Sequence, residues 1–153
     1  AAKYANSLAA NTKVDKRIKA DATAISARVA FVNKDTTTAR KLYEQLNGIA
    51  TGELKAEALY YDAYFKNADK KYDASNKVVE KLVKEYAAYK YYNAKGLVVL
   101  AKNFYQLKDS YQATYVLENV IASATDFTDV VTEAKAELAK IKTEEAKRNS
   151  SVK

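Results

Sequence analysis

The chain has no histidine and no cysteine, so any chemistry would fall to carboxylates, lysines, serines and tyrosines. The usual general base near neutral pH and the commonest metal ligand are missing. Thiolate nucleophiles, disulfides and thiolate metal sites go with them. The carboxylates do not gather into a constellation either. Glu144 and Glu145 are adjacent, so on a helix they point different ways and are expected as a solvated pair. Asp69 and Asp73 flank a turn and are expected to cap helices. Gly48 and Gly52 bracket the segment GIATGEL, which lacks any phosphate-cradling pattern. No catalytic residue, metal site or cofactor is expected, and the chain reads as a binding protein, not an enzyme.

What must position its binding residues is a set of helices. Of 153 residues, 48% are hydrophobic, there is no proline, and only three are glycine. Much of the apolar content is alanine and tyrosine. Alanine is the best helix former, and tyrosine packs its ring while keeping its hydroxyl wet. A chain almost free of proline and glycine does not make a many-turned β fold. No apolar run approaches the roughly 20 residues that span a bilayer. The chain opens Ala-Ala-Lys and contains no methionine, which is expected of a fragment or a processed product. The net charge of +7 raises nucleic acid as a partner. However, the lysines are interleaved with acids along the whole chain, the pattern of a solvated helical surface.

Three segments, TTTARKLYEQL, KYDASNKVVEKL and SYQATYVLENV, share one stripe. A small residue is followed four and seven places later by larger ones: Ala39, Tyr43, Leu46; Ser75, Val79, Leu82; Ala113, Leu117, Val120. This spacing marks one face of a helix. The trios begin at Ala39, Ser75 and Ala113, so the unit recurs at a nearly constant interval. Twelve places before each trio stands an alanine: Ala27, Ala63 and Ala101. Lys66 stands where the second unit should be apolar, and neighbouring Phe65 is expected to fill the gap. Ala1, Ala5 and Leu8 repeat the trio one such interval before Ala39. The pattern predicts helices over about 1–9, 14–33, 36–48, 53–68, 71–87, 90–107, 109–123 and 127–148. The repeats fall at about 20–53, 56–89 and 94–126. A final helix, 127–148, turns polar outward, as the end of a repeat array requires.

Units of this length, with two helices, small residues at the crossing and turns such as KKYDAS and KDSYQA, resemble the tetratricopeptide repeat. The segment AKGLVVLAKNFYQLKDSYQATYVLENVI is the closest, and resembles the C-terminal repeats of large tetratricopeptide proteins of bacterial cell envelopes. The usual tryptophan is replaced by Thr23, Leu59 and Leu97, the crossing glycine by alanine, and the helix-ending proline is absent. The resemblance implies an all-α, right-handed solenoid of about three helix pairs, forming a single domain over 1–153. The pairs would lie between a truncated N-terminal helix and the C-terminal capping helix.

It also implies a groove lined by the first helix of each pair. The residues expected beside each core alanine are Ala24, Arg28 and Phe31; Tyr60, Tyr64 and Asn67; and Val98, Lys102 and Tyr105. Of these, Arg28, Phe31, Tyr60, Tyr64, Asn67, Lys102 and Tyr105 are the candidate contacts for a partner. Tyr89, Tyr91 and Tyr92, joined by Tyr86, form a second candidate patch. The function implied is a protein–protein interaction scaffold of the bacterial envelope or periplasm, with a cytoplasmic setting left open. No small-molecule substrate is expected. The alternatives are polyanion or nucleic-acid binding through the lysines, and a passive spacer.

Overall fold

The computed structural model describes residues 2–3 and 15–152. Ala1, Ala5 and Leu8, and the helix expected over 1–9, lie outside the described residues or at their edge. From Lys16 onward the protein is all helical: α1 Lys16–Val32, α2 Thr36–Ile49, α3 Gly52–Ala68, α4 Tyr72–Glu85, α5 Lys90–Gln106, α6 Ser110–Ser123 and α7 Thr128–Val152. Asp15, Asp35 and Asp109 cap α1, α2 and α6 by accepting from the backbone amide of the second or third helical residue, which satisfies otherwise orphaned donors. Of the two residues expected to cap helices, Asp69 holds the C-cap position of α3 through its backbone amide, and Asp73 lies within the first turn of α4 without capping it. Lys71 takes the capping position of α4 and makes no side-chain cap, while Asp69 pairs with Arg40. α4 stops short of residue 87 because the Asn93 amide donates to the carbonyls of Tyr86 and Tyr89, each at 2.8 Å, holding an intervening turn. α7 runs past 148 to Val152, with no glycine or proline to stop it.

The helix-ending turns of α1, α3 and α5 are copies of one another. Lys34, Lys70 and Lys108 hold φ of 61°, 61° and 69°, the left-handed conformation usually left to glycine. Each lysine amide donates three residues back, to Phe31, Asn67 and Tyr105. Each following amide donates five back, to Ala30, Lys66 and Phe104. This doubly bonded closure satisfies the last carbonyls of the first helix and releases the chain directly into the second.

Every helix packs on the next in the chain, and α1, α3, α5 and α7 also touch one another in succession. No other helix pairs are in contact among the described residues, so the arrangement is helical and repeat-like. The core lies where the register predicts. Ala27, Ala63 and Ala101 are fully buried, and the three trios from Ala39 to Val120 are buried with them. In the second unit the twelve-residue spacing is directly visible as a contact: Ser75 Oγ donates to the Ala63 carbonyl at 2.7 Å. Phe65 is buried as expected, and Lys66 turns outward to pair with Asp62. Gly52 opens α3 at φ 59°, where a side chain would also meet the Tyr89 hydroxyl.

Left-handed φ costs an L residue about 1–2 kcal/mol, and glycine's extra chain entropy takes back part of the gain. Lys70→Gly should therefore stabilise the protein by about 0.5 kcal/mol, and the triple change with Lys34→Gly and Lys108→Gly by about 1.5 kcal/mol. Urea melts should show a higher midpoint at unchanged slope. A loss of stability would show that the lysines make contacts worth more than the strain.

Candidate functional site

One face of the helix stack is built from the first helix of each unit, α1, α3, α5, and from α7, which occupies the same place in the series. The recurring interval of the sequence aligns their side chains. Asp21, Glu57, Lys95 and Glu133 share one position; Arg28, Tyr64, Lys102 and Lys140 share the position two turns later. Polar ties run diagonally between these positions on neighbouring helices. Arg28 grips Glu57 with two bonds, 2.9 and 2.6 Å. Lys102 reaches Glu133 at 2.9 Å and Glu137 at 3.9 Å.

Glu57 is the unusual member. Its carboxylate is 2% exposed, a position carboxylates hold only when paired. The second partner is Tyr43, whose hydroxyl donates to it at 3.0 Å. Hydrogen bonding to Glu57 raises the pKa of Arg28, so this guanidinium stays charged. Burial, with Tyr61 and Glu57 nearby, raises that of Tyr43.

Aromatic rings fill the space between the ties. Phe31 meets Tyr64 edge-on at 5.5 Å, and Tyr64 leads to Tyr60 at 6.3 Å and Tyr60 to Tyr92 at 6.3 Å. Tyr92 meets Tyr91 at 5.2 Å, and Tyr91 meets Phe127 at 5.3 Å. The string thus runs from α1 to the residue preceding α7. Lys95 Nζ lies 4.6 Å from the Tyr60 ring centre and 5.4 Å from that of Tyr91, within cation–π range.

The sequence candidates divide into two groups. Phe31, Tyr60 and Tyr64 belong to the aromatic string. Asn67, Lys102 and Tyr105 line one open cavity of about 190 Å³, with Tyr72, Gln106, Glu137 and Lys140. Arg28 lies in neither group, being bound to Glu57. Three positions expected to face outward do not: Ala24, Tyr60 and Val98 are 1%, 6% and 0% exposed, because neighbouring helices pack over this side of each first helix. Asn67 also serves the packing, donating to Asn103 at 2.8 Å. Buried Asn103 in turn donates to Ser75 and Asn76, each at 2.8 Å. Tyr86 pairs with Tyr89 and Tyr91 with Tyr92, and Tyr86, Tyr89 and Tyr92 pack against the same core cluster around Leu59 and Val79.

Glu144 is exposed and Glu145 partly exposed, as expected of a solvated pair, and each makes a bond at the surface. Glu144 accepts from the Tyr105 hydroxyl at 2.6 Å, and Glu145 pairs with Arg148. Sequence reasoning also passed over Tyr111 and Tyr115 on α6, the most exposed aromatics among the described residues at 76% and 56%. Their only signal was an outward helix face almost without charge. A further cavity of about 160 Å³, between α2 and α3, has Tyr43, Ala58 and Phe65 among its lining residues. Four of its lining charges are joined as Arg40–Asp69 and Lys66–Asp62 pairs, and Glu44 and Lys71 line it as well.

Comparison of the chain with family models, curated proteins and solved structures finds no match in any of the three. Its own geometry must therefore carry the functional reading. Among the described residues no helix is long and apolar enough to cross a membrane.

α7 is tied to α5 by two phenols. Tyr91 donates to Asp129 at 2.6 Å, and its pKa is pushed up to about 12 by burial and by that bond. Tyr105 reaches about 12 chiefly through its bond to Glu144. The Asp129 carboxyl is held below its usual range by Tyr91. Unfolded tyrosine titrates near about 10, so the folded state favours the neutral phenols. Their contribution is complete below about pH 10 and is lost as pH rises through about 12. Wild-type stability should fall more steeply from pH 9 to 12 than that of Tyr91→Phe/Tyr105→Phe, as followed by urea midpoints. Parallel curves would exclude the two phenol ties.

Proposed function

We propose that this protein is a non-catalytic protein–protein interaction scaffold of tetratricopeptide type, a right-handed solenoid of three helix pairs closed by a capping helix. The observation that carries the reading is the shared burial of one register, an alanine followed after twelve residues by a four-three stripe, in three successive units. The restriction of contacts to neighbouring helices supports it further, because a solenoid touches only along its stack.

The face shared by α1, α3, α5 and α7 is the inner face and the binding surface. Two of its cations, Arg28 and Lys102, are committed to carboxylates, so what it offers a partner is tyrosine rings with hydroxyls and amides at their edges. Such a surface suits an extended or helical protein segment, since tyrosine gives large contact area at low entropic cost. The resemblance to envelope proteins favours a setting in the bacterial envelope or periplasm, as part of a larger assembly.

Photo-crosslinking in extracts of the native cells, from a probe at Gln106 beside the inner face, tests the proposal. Specific protein adducts should form, and Tyr64→Ala or Tyr105→Ala should reduce them about tenfold or more with helicity unchanged. Adducts of equal yield in those variants would remove the groove as the site. Capture of nucleic acid instead, with affinity falling by about 10³-fold or more between about 50 and 200 mM salt, would favour the polyanion reading drawn from the net charge.

A further inference from the structure

The ties between first helices run one way along the stack. A cation two turns beyond the carboxylate position of one helix reaches the carboxylate of the next: Arg28 to Glu57, and Lys102 to Glu133. The same two positions fall on Asp21 in α1 and on Lys140 in α7. Among the described residues no first helix precedes α1 and none follows α7. Asp21 is thus an acid lacking its cation, and Lys140 a cation lacking its acid. Both are exposed, and neither enters an ion pair among the described residues.

The surfaces beside these two residues are open as well. On α1, Ile18, Ile25 and Val32 recur every two helical turns along one side, with Asp21 between the first two. They are 44%, 41% and 77% exposed. Their counterparts along the stack all face preceding helices. Leu54 and Tyr61 pack on a core cluster formed with α1 and α2, Val130 is buried with residues of α5 and α6, and Glu144 takes the Tyr105 hydroxyl. α1 therefore turns outward the side by which α3 and α7 hold what comes before them. On α7 the reverse side is open. Ala136 is the counterpart of Ala24, Tyr60 and Val98, which are all buried, and Thr143 is the counterpart of Asn67 and Tyr105. Ala136 and Thr143 are both exposed.

We propose that a second copy of this chain covers α1, docking head to tail so that its α7 lies along Ile18, Ile25 and Val32 and its Lys140 meets Asp21. The contact continues between copies the tie that Arg28 makes to Glu57 and Lys102 to Glu133 within one. Ala136 and Thr143 are short side chains, so α7 can seat the apolar row of α1 between them. Charge selects this arrangement over a two-fold one, which would bring Asp21 near Asp21 or Lys140 near Lys140. Because the two copies use different surfaces, the contact can repeat from copy to copy. One helix against one helix places it among small, transient interfaces. The inference rests on the repeat register described above and adds to it a partner for the two ends of the stack.

Carbodiimide coupling, which joins touching carboxylates and ammonium groups as amides, tests the contact in an equal mixture of isotopically light and heavy protein at about 1 mM. Peptide mass spectrometry should find Asp21 joined to Lys140 in mixed-isotope form, and Lys102 joined to Glu133 within single chains. Sedimentation should show self-association that Lys140→Glu weakens about tenfold and that adding Asp21→Lys largely restores. If the internal link forms while Asp21 and Lys140 stay unjoined, or join only within one chain, the inference is overturned. Asp21 joined instead to Lys3 or Lys13 in a monomer would give the face to the chain's own beginning and overturn it too. So would association that Lys140→Glu leaves unchanged. Absence of the Lys102–Glu133 link would instead overturn the register on which the inference rests.

Discussion

Where α1 meets α2, α3 meets α4 and α5 meets α6, the helices approach through Ala27, Ala63 and Ala101, each fully buried. Each crossing is closed by a single methyl group, and the larger members of each stripe pack around it. Close approach at one residue fixes the rotation of both helices about their axes. That rotation decides which side chains reach the face shared by α1, α3, α5 and α7 and which reach the next unit. The lysine turns maintain it from the ends, since each passes the chain from one helix to the next in the same conformation.

The ties between units differ in kind from the crossings within them. α1 is joined to α3 by a guanidinium on a buried carboxylate, and α5 to α7 by an ammonium and two phenols on carboxylates. Between α3 and α5 the link is the aromatic string together with the Asn67–Asn103–Ser75 chain of hydrogen bonds. Such pairings contribute little by bulk burial but are sensitive to alignment, because a misplaced partner leaves a buried polar group unpaired. They make the order of units specific. They also pair off Arg28 and Lys102 with carboxylates on the face that α1, α3, α5 and α7 share, although the chain as a whole carries a net charge of +7.

Much of the fold was legible because the crossings are local in sequence. An alanine and the stripe twelve residues beyond it belong to one hairpin, and helical spacing alone predicts that they share a face. The face shared by α1, α3, α5 and α7 was less legible. Its exposed or buried character depends on neighbours a whole unit away in the chain, and periodicity within one helix says nothing of their offset. Arg28 and Lys102 read as free groove cations until Glu57 and Glu133 are seen opposite them. Tyr60 read as a contact residue until the flanking helices bury it. Glu57 itself, an acid amid Lys-Ala and Ala-Leu, gave no sign of burial, since the partners that neutralise it come from α1 and α2.

α7 offers an internal control for the central constraint. Ala139 follows Ala101 at the interval by which Ala113 follows Ser75. It holds the same place on its helix, yet it is exposed, with no second helix packed over it among the described residues. Replacing each with leucine and measuring unfolding free energy separates the crossing from every other property of the position. Ala101→Leu should cost about 1–3 kcal/mol through overpacking, while Ala139→Leu should change stability by less than about 0.5 kcal/mol. Equal effects at the two positions, or tolerance of leucine at Ala101, would contradict the account.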